Sequence, residues 1–220
     1  MEKDFFWKRA LRLVFDLLFP ISCLGCGKSD VWICRKCLQS IPGFPRSELE
    51  KIRIKGIDEI IVAAGYDNQL VQKAVHLLKY KSVADLAKPL AEVILNNTAV
   101  SKLENDNLII PVPLHRRRQR ERGFNQSDLI AKALADRLDW EMRDDVLIRK
   151  KHTTPQMKLD REDRLQNLKD AFELRKPLPN KNIVLVDDVL TTGSTLRECA
   201  RVLKKYGAKI ITAVCVAHGQ

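Results

Sequence analysis

Apolar positions along this 220-residue chain follow two alternating rhythms. Short, nearly continuous runs rich in β-branched residues alternate with longer stretches whose apolar residues recur every third or fourth place. The runs predict strands at residues 59–66, 108–110, 183–186 and 210–216. The helical rhythm predicts helices over 70–78, 86–95 and 127–138, the last capped by Asn125, and another carrying Leu196, Cys199, Ala200 and Leu203. Strand and helix alternate, which implies an α/β domain with a mostly parallel sheet and a ligand at the carboxyl ends of its strands. His76 falls among apolar helical neighbours and reads as a packed residue, as do Cys199 and Cys215.

Ahead of this domain the pattern changes. Residues 4–19 read as a helix stopped by Pro20, with Lys8, Arg9, Arg12 and Asp16 on one face and Phe5, Phe6, Leu11, Val14, Phe15 and Leu18 on the other. That apolar face either packs on its own domain or docks on a partner or membrane surface. Residues 42–56, with Pro, Gly, Ser and charges, read as a connector. The expected organisation is therefore an N-terminal amphipathic helix (1–20), a four-cysteine module with connector (21–56) and the α/β domain (57–220).

The four cysteines are Cys23, Cys26, Cys34 and Cys37, two CxxC pairs that place four soft sulfur ligands where a tetrahedral ion can gather them. With every position a sulfur, no coordination site stays open, so the expected ion is structural zinc. No secretory signal is visible, and no apolar run approaches the roughly 18 residues that span a bilayer. The expected compartment is the cytoplasm, or the inner face of the membrane if the N-terminal helix docks there.

Chemistry concentrates in the stretch from Ile183 to Thr195. An apolar strand runs into Asp187 and Asp188, then into Leu190-Thr191-Thr192-Gly193-Ser194-Thr195, and then into a helix. A tight turn of small hydroxyl residues before a helix presents backbone N–H groups and partial positive charge to a phosphate. The two carboxylates offer acceptor oxygens to ribose hydroxyls and to a hydrated magnesium ion.

The net charge of +11 points to anionic partners. Residues 115–122 carry five Arg against one Glu, net +4, and residues 149–164 carry six basic residues against three acids, net +3. Together they hold +7 of the +11. Arginine suits pyrophosphate because its planar fork binds two oxygens at once. Five arginines exceed what one pyrophosphate needs, so nucleic acid stays open as a partner. Phe124 is the nearest aromatic to either run in sequence, and no base-stacking platform is legible. Lys79-Tyr80-Lys81 could reach the site, but nothing in the sequence decides it.

The stretch from Val184 to Thr195 resembles the phosphoribosyl pyrophosphate (PRPP) loop of type I phosphoribosyltransferases. The whole chain, with its four-cysteine knuckle followed by Pro-Val-Pro-Leu-His-Arg-Arg-Arg-Gln-Arg-Glu-Arg-Gly-Phe-Asn-Gln, resembles the ComF family of competence-associated, phosphoribosyltransferase-like proteins. The resemblance implies a type I phosphoribosyltransferase-like sheet flanked by helices, with Asp187 and Asp188 as the catalytic acids and Leu190 to Thr195 on PRPP. It implies a pyrophosphate loop at Val112, Pro113, Leu114, His115 and Arg116. It also implies a basic lid over 149–164, with Lys150, Lys151, His152 and Arg161 as candidates. Magnesium would accompany PRPP, and the acceptor is not legible. The family link is to uptake of transforming DNA. Single-stranded DNA, with Arg117, Arg118, Arg120 and Arg122 as its candidate contacts, and helicase or processing proteins are the partners this suggests. Pentosyl transfer and DNA binding on a phosphoribosyltransferase scaffold are the two functional readings.

Overall fold

The computed structural model describes residues 21–97, 99–103, 107–151, 168, 170–178 and 182–219. The amphipathic stretch at 4–19, His152 and Arg161 lie outside the described residues. The chain divides into two compact units, one ending at Ser40 and the other starting at Ile41.

The first unit is built on its cysteines. An antiparallel bridge joins Ser22 to Ser29, and a short helix, α1 (Arg35–Gln39), follows Cys34. Cys23 and Cys34 are buried, while Cys26 is exposed. Between the pairs, Cys23 and Lys28 close a turn through the Cys23 N–H and the Lys28 carbonyl at 2.8 Å.

The second unit carries a four-stranded parallel sheet among the described residues. Its strands are β1 (Glu59–Gly65), β2 (Asn107–Pro111), β5 (Asn182–Leu190) and β6 (Ile211–His218), in the spatial order β1-β6-β5-β2. Both faces of a parallel sheet are covered, which is why β6 buries seven successive residues and β2 buries all five of its own. The sheet runs longer than its apolar residues suggest. β5 continues through Asp187 and Asp188, because Asp187 pairs with Cys215 and Leu190 with His218 on β6. The strand thus ends four residues beyond Val186, and the acids are part of it.

Helix α3 (Gln69–Tyr80) begins at Asn68, whose side-chain oxygen accepts from the Leu70 and Val71 amides at 3.1 Å each. It buries Val71, Ala74, Val75 and Leu78, one stripe at helical spacing. Helix α4 (Ala87–Leu95) packs against the later helix α6 (Gln126–Leu138), and α6 buries Ile130, Ala131, Leu134 and Ala135. As expected, Asn125 caps α6. Helix α7 (Ser194–Lys205) follows β5 directly and buries Leu196, Cys199, Val202 and Leu203.

Three features depart from the sequence pattern. Residues 42–56 do more than connect: they hold a short helix, α2 (Arg46–Leu49), and Ile54 enters the core with Phe44, Leu49 and Ile52 packed beside it. The arginine run, which carries no helical apolar stripe, is a helix, α5 (Arg116–Arg122), held by the Arg117–Glu121 pair one turn apart and stopped by Gly123 at φ 87°. Finally, two three-residue strands, β3 (Leu147–Arg149) and β4 (Phe172–Leu174), pair antiparallel away from the main sheet. Three residues are too few for alternation to be read.

Candidate functional site

The site lies at the carboxyl ends of β2 and β5, and strand geometry distributes its acids. Successive side chains of a strand point to opposite faces, so Asp187 and Asp188 meet different helices. Asp187 turns toward α6, where its Oδ1 accepts from the Ser127 hydroxyl at 3.0 Å and from the Asp188 amide at 2.9 Å. Asp188 turns toward α3, where Lys79 Nζ lies 2.7 Å from its Oδ1. Asp188 is 3% exposed, and its second oxygen, Oδ2, is buried with no hydrogen-bond partner. Burial pushes the Asp187 carboxyl up, and the neighbouring Asp188 charge adds to it; Lys79, the Asp188 amide and Ser127 oppose, leaving it at about 7. Burial pulls the Lys79 ammonium down, but the Asp188 and Asp187 charges more than offset this and hold it above its usual value.

The turn after β5 is fixed by backbone geometry. Gly193 has φ 71° and is the N-cap of α7, which leaves the first amides of a twelve-residue helix facing the cleft. A Cβ at Gly193 would lie 2.6 Å from Ile54 Cδ1, so a side chain there would strain the left-handed backbone and force Ile54 to shift. The Thr192 and Ser194 hydroxyls share a hydrogen bond at 2.7 Å.

Asp187, Asp188, Leu190, Thr191, Gly193, Ser194 and Thr195 line one cleft of about 810 Å³ together with Val112, Pro113, Leu114, Arg118 and Arg122. Thr192 joins them through Ser194. The Val112 carbonyl accepts from the Asn125 side chain at 3.0 Å, which ties the segment after β2 to the start of α6. His115 and Arg116 line a smaller neighbouring cleft of about 480 Å³, which shares Pro113, Leu114 and Arg149 with the first. His115 caps α5 by accepting from the Arg117 amide at 3.2 Å. Arg117 and Arg120 are exposed on α5 and line neither cleft.

Several cleft residues were not legible as such. Lys79 is placed on Asp188, a pairing between residues 109 positions apart in the chain. Ser127 reaches Asp187 from what reads as an ordinary first helical turn. In the basic stretch, Arg149 lines the main cleft, whereas Lys150, paired with Glu173 of β4, lines only the smaller one. His76 is a correction: it is exposed on α3, lines the cleft and lies 5.0 Å from the Tyr80 ring. The buried stripe of α3 falls at 71, 74, 75 and 78, which turns 76 outward. The fold also brings an aromatic ring to the arginines from a distant segment: the Arg122 guanidinium sits 5.7 Å from the Tyr80 ring centroid.

In the first unit, Cys23, Cys26, Cys34 and Cys37 bring their sulfurs within 4.8 Å of one another. The Cys26 and Cys34 sulfurs are 3.6 Å apart. A tetrahedral Zn–S distance of about 2.3 Å requires sulfurs about 3.8 Å apart, so the donor set fits that ion. Burial raises the Cys23 thiol, and backbone N–H groups of Cys34, Cys26 and Gly25 more than reverse this, holding it at about 6. The Cys34 amide lies 3.3 Å from the Cys23 sulfur.

Paired acids on a parallel strand that turns through hydroxyls into a helix belong to a known class of α/β domain. Residues 126–220 match the family model described as "Phosphoribosyl transferase domain". Over most of its length the chain is 34% identical to Competence protein F of Haemophilus influenzae, covering 81% of this chain and 75% of that protein. It is 32% identical to DNA utilization protein YhgH of Escherichia coli, covering 84% and 77% respectively. Competence protein ComFC of Bacillus subtilis matches 64% of this chain and 56% of its own at 30% identity. The chain belongs to the Competence protein F family, with a phosphoribosyltransferase-like fold and an N-terminal four-cysteine cluster. Among the described residues, no helix is long and apolar enough to cross a membrane.

Proposed function

We propose that the chain binds magnesium-complexed PRPP in the main cleft and transfers its 5-phosphoribosyl group. The observation that carries this is the buried, unpartnered Oδ2 of Asp188 beside the amino terminus of α7. Acceptor oxygens at one end of the cleft suit ribose hydroxyls. The amides and hydroxyls of Thr191 to Thr195 at the other suit the 5′-phosphate. Pyrophosphate would lie along Val112 to Arg116, with Arg118 and Arg149 neutralising charge as it leaves. In the transfer step, an acceptor nucleophile forms a bond to C1 as the bond from C1 to the pyrophosphate oxygen breaks. The residues' task is to position the acceptor and stabilise the leaving group. The four cysteines hold structural zinc in this reading.

The test is a calorimetric titration of PRPP with Mg²⁺ into the zinc-loaded full chain and into an Asp187→Asn/Asp188→Asn double variant. Binding by the native chain and its loss in the variant are expected. Absence of binding by the native chain overturns the proposal.

A second reading is favoured by α5, whose Arg116, Arg117 and Arg120 are exposed: binding of single-stranded DNA through phosphates. Replacing these three by Gln should make the slope of log affinity against log salt shallower by about 2, at about 0.7 for each phosphate no longer neutralised. An unchanged slope sinks it.

A further inference from the structure

The mouth of the main cleft carries an aromatic cluster that neither the acids nor the phosphate turn uses. Tyr66, His76 and Tyr80 all line this cleft. The His76 and Tyr80 rings are 5.0 Å apart at an interplanar angle of 44°, and the Arg122 guanidinium lies 5.7 Å from the Tyr80 centroid. Tyr80 is nonetheless 56% exposed, the most exposed large hydrophobic side chain among the described residues.

This arrangement is held by backbone geometry. Ser82, just past the end of α3, adopts a left-handed conformation with φ 54°, and its hydroxyl donates to the Arg122 carbonyl at 2.9 Å. Left-handed backbone at a non-glycine residue is uncommon and needs the surrounding structure to hold it. The bond joins the end of α3 to the end of α5, two helices from distant parts of the chain, and so keeps Tyr80 beside Arg122. Arg122 in turn donates to Gln126 Oε1 at the start of α6. Tyr80 is the neighbour in sequence of Lys79, which holds Asp188, so the exposed ring is fixed one residue from the side chain that grips the acid.

An exposed aromatic ring flanked by a guanidinium, at the edge of a sugar-phosphate cleft and beside a basic helix, has a defined complement. It is a flat, aromatic, hydrogen-bonding group attached to or accompanying phosphate. We propose that Tyr80, flanked by His76 and Arg122, is a stacking shelf for an unpaired nucleobase at the mouth of the cleft. The proposal rests on the reading of the cleft as a ribosyl-phosphate site, because the shelf would present the base to the sugar end of that site. The same chemistry arises from two sources, a free base or one base of a single strand lying along α5.

The test uses the full zinc-loaded chain and three probes: a free nucleobase series, a short fluorescent oligothymidylate, and an abasic strand of the same length and charge. Each is titrated against native protein, Tyr80→Ala and Tyr80→Trp, with and without saturating Mg²⁺ and PRPP. Removing one base–aromatic stack weakens binding by about 5- to 150-fold. Native protein should therefore prefer oligothymidylate to the abasic strand, or bind a free base, by a margin in this range. Tyr80→Ala should abolish that margin, and Tyr80→Trp should restore it. A margin seen only with the strand identifies the source as nucleic acid, and one seen with the free base identifies a small acceptor. Equal binding of both strands with no free-base binding overturns the proposal, as does a margin that survives in Tyr80→Ala. PRPP binding is recorded separately. A native chain that binds PRPP without a Tyr80-dependent margin loses the shelf alone. A margin without PRPP binding keeps the shelf and removes the ribosyl reading.

Discussion

At the scale of single residues, the site depends on one buried ion pair. Lys79 and Asp188 are 2.7 Å apart, with side-chain exposures of 19% and 5%. Removing one partner of a buried pair leaves the other charge desolvated, at a cost of about 3–5 kcal/mol. Because part of the lysine stays in water, Lys79→Met should fall at the lower end of that range in urea unfolding. It should also weaken PRPP binding, since Asp188 loses the ion-pair partner that fixes its carboxylate at the cleft wall. Lys79→Arg keeps the charge and should recover much of both. Full affinity in Lys79→Met would show that the acid is oriented without it. The acids themselves were legible, because two carboxylates after an apolar run have no packing reason to be there. Their partners Lys79 and Ser127 were not, because a lysine at a helix end and a serine in a first turn are ordinary residues until the fold places them.

Elements set the constraints that a residue reading leaves open. The junction of β5 and α7 turns on Gly193, where φ 71° disfavours any side chain and the 2.6 Å approach means Ile54 would have to shift to admit one. Gly193→Ala should destabilise by about 1–3 kcal/mol from backbone strain, with the Ile54 clash added. By tilting the first amides of α7 it should also lower PRPP affinity, measured by calorimetry on a variant that remains folded. Unaltered affinity would mean that the turn does not hold phosphate. The sheet strands and α3, α4, α6 and α7 could be read from periodicity, since each buries a continuous run or a helical stripe. The arginine run could not be recognised as helix. It has no apolar stripe, and its Arg117–Glu121 pair contributes only a few tenths of a kcal/mol. Beyond its local His115 cap, what sets α5 in place is tertiary: the Ser82 bond at its carboxyl end. The aromatic shelf was hidden for the same reason, since Tyr80 and Arg122 are joined by folding and not by proximity in sequence.

At the scale of the whole molecule, the two compact units draw their stability from different sources. The unit from Ile41 onward has a continuous apolar core that includes Leu108, Ile110, Ile183, Leu185, Leu196 and Leu203. The described part of the first unit offers little beyond Cys23, Ile33 and Cys34 as buried apolar surface. So few residues cannot offset the conformational entropy of an ordered segment, which is why very small modules use metals or disulfides. With four free cysteines gathered within 4.8 Å, a bound ion would supply what the core does not. Chelation should therefore unfold residues 21–40 while the second unit keeps its own cooperative transition. Limited proteolysis should then cut between Cys23 and Cys37 in the chelated protein and spare β5 and β6, with thermal unfolding of the remainder shifted little. Adding zinc back should restore protection, and Cys34→Ser should reproduce the cut without chelator. If the chelated chain stays protected at 21–40, the cysteines are held by the fold and not by an ion. If instead the sheet melts with them, its stability draws on the metal as well.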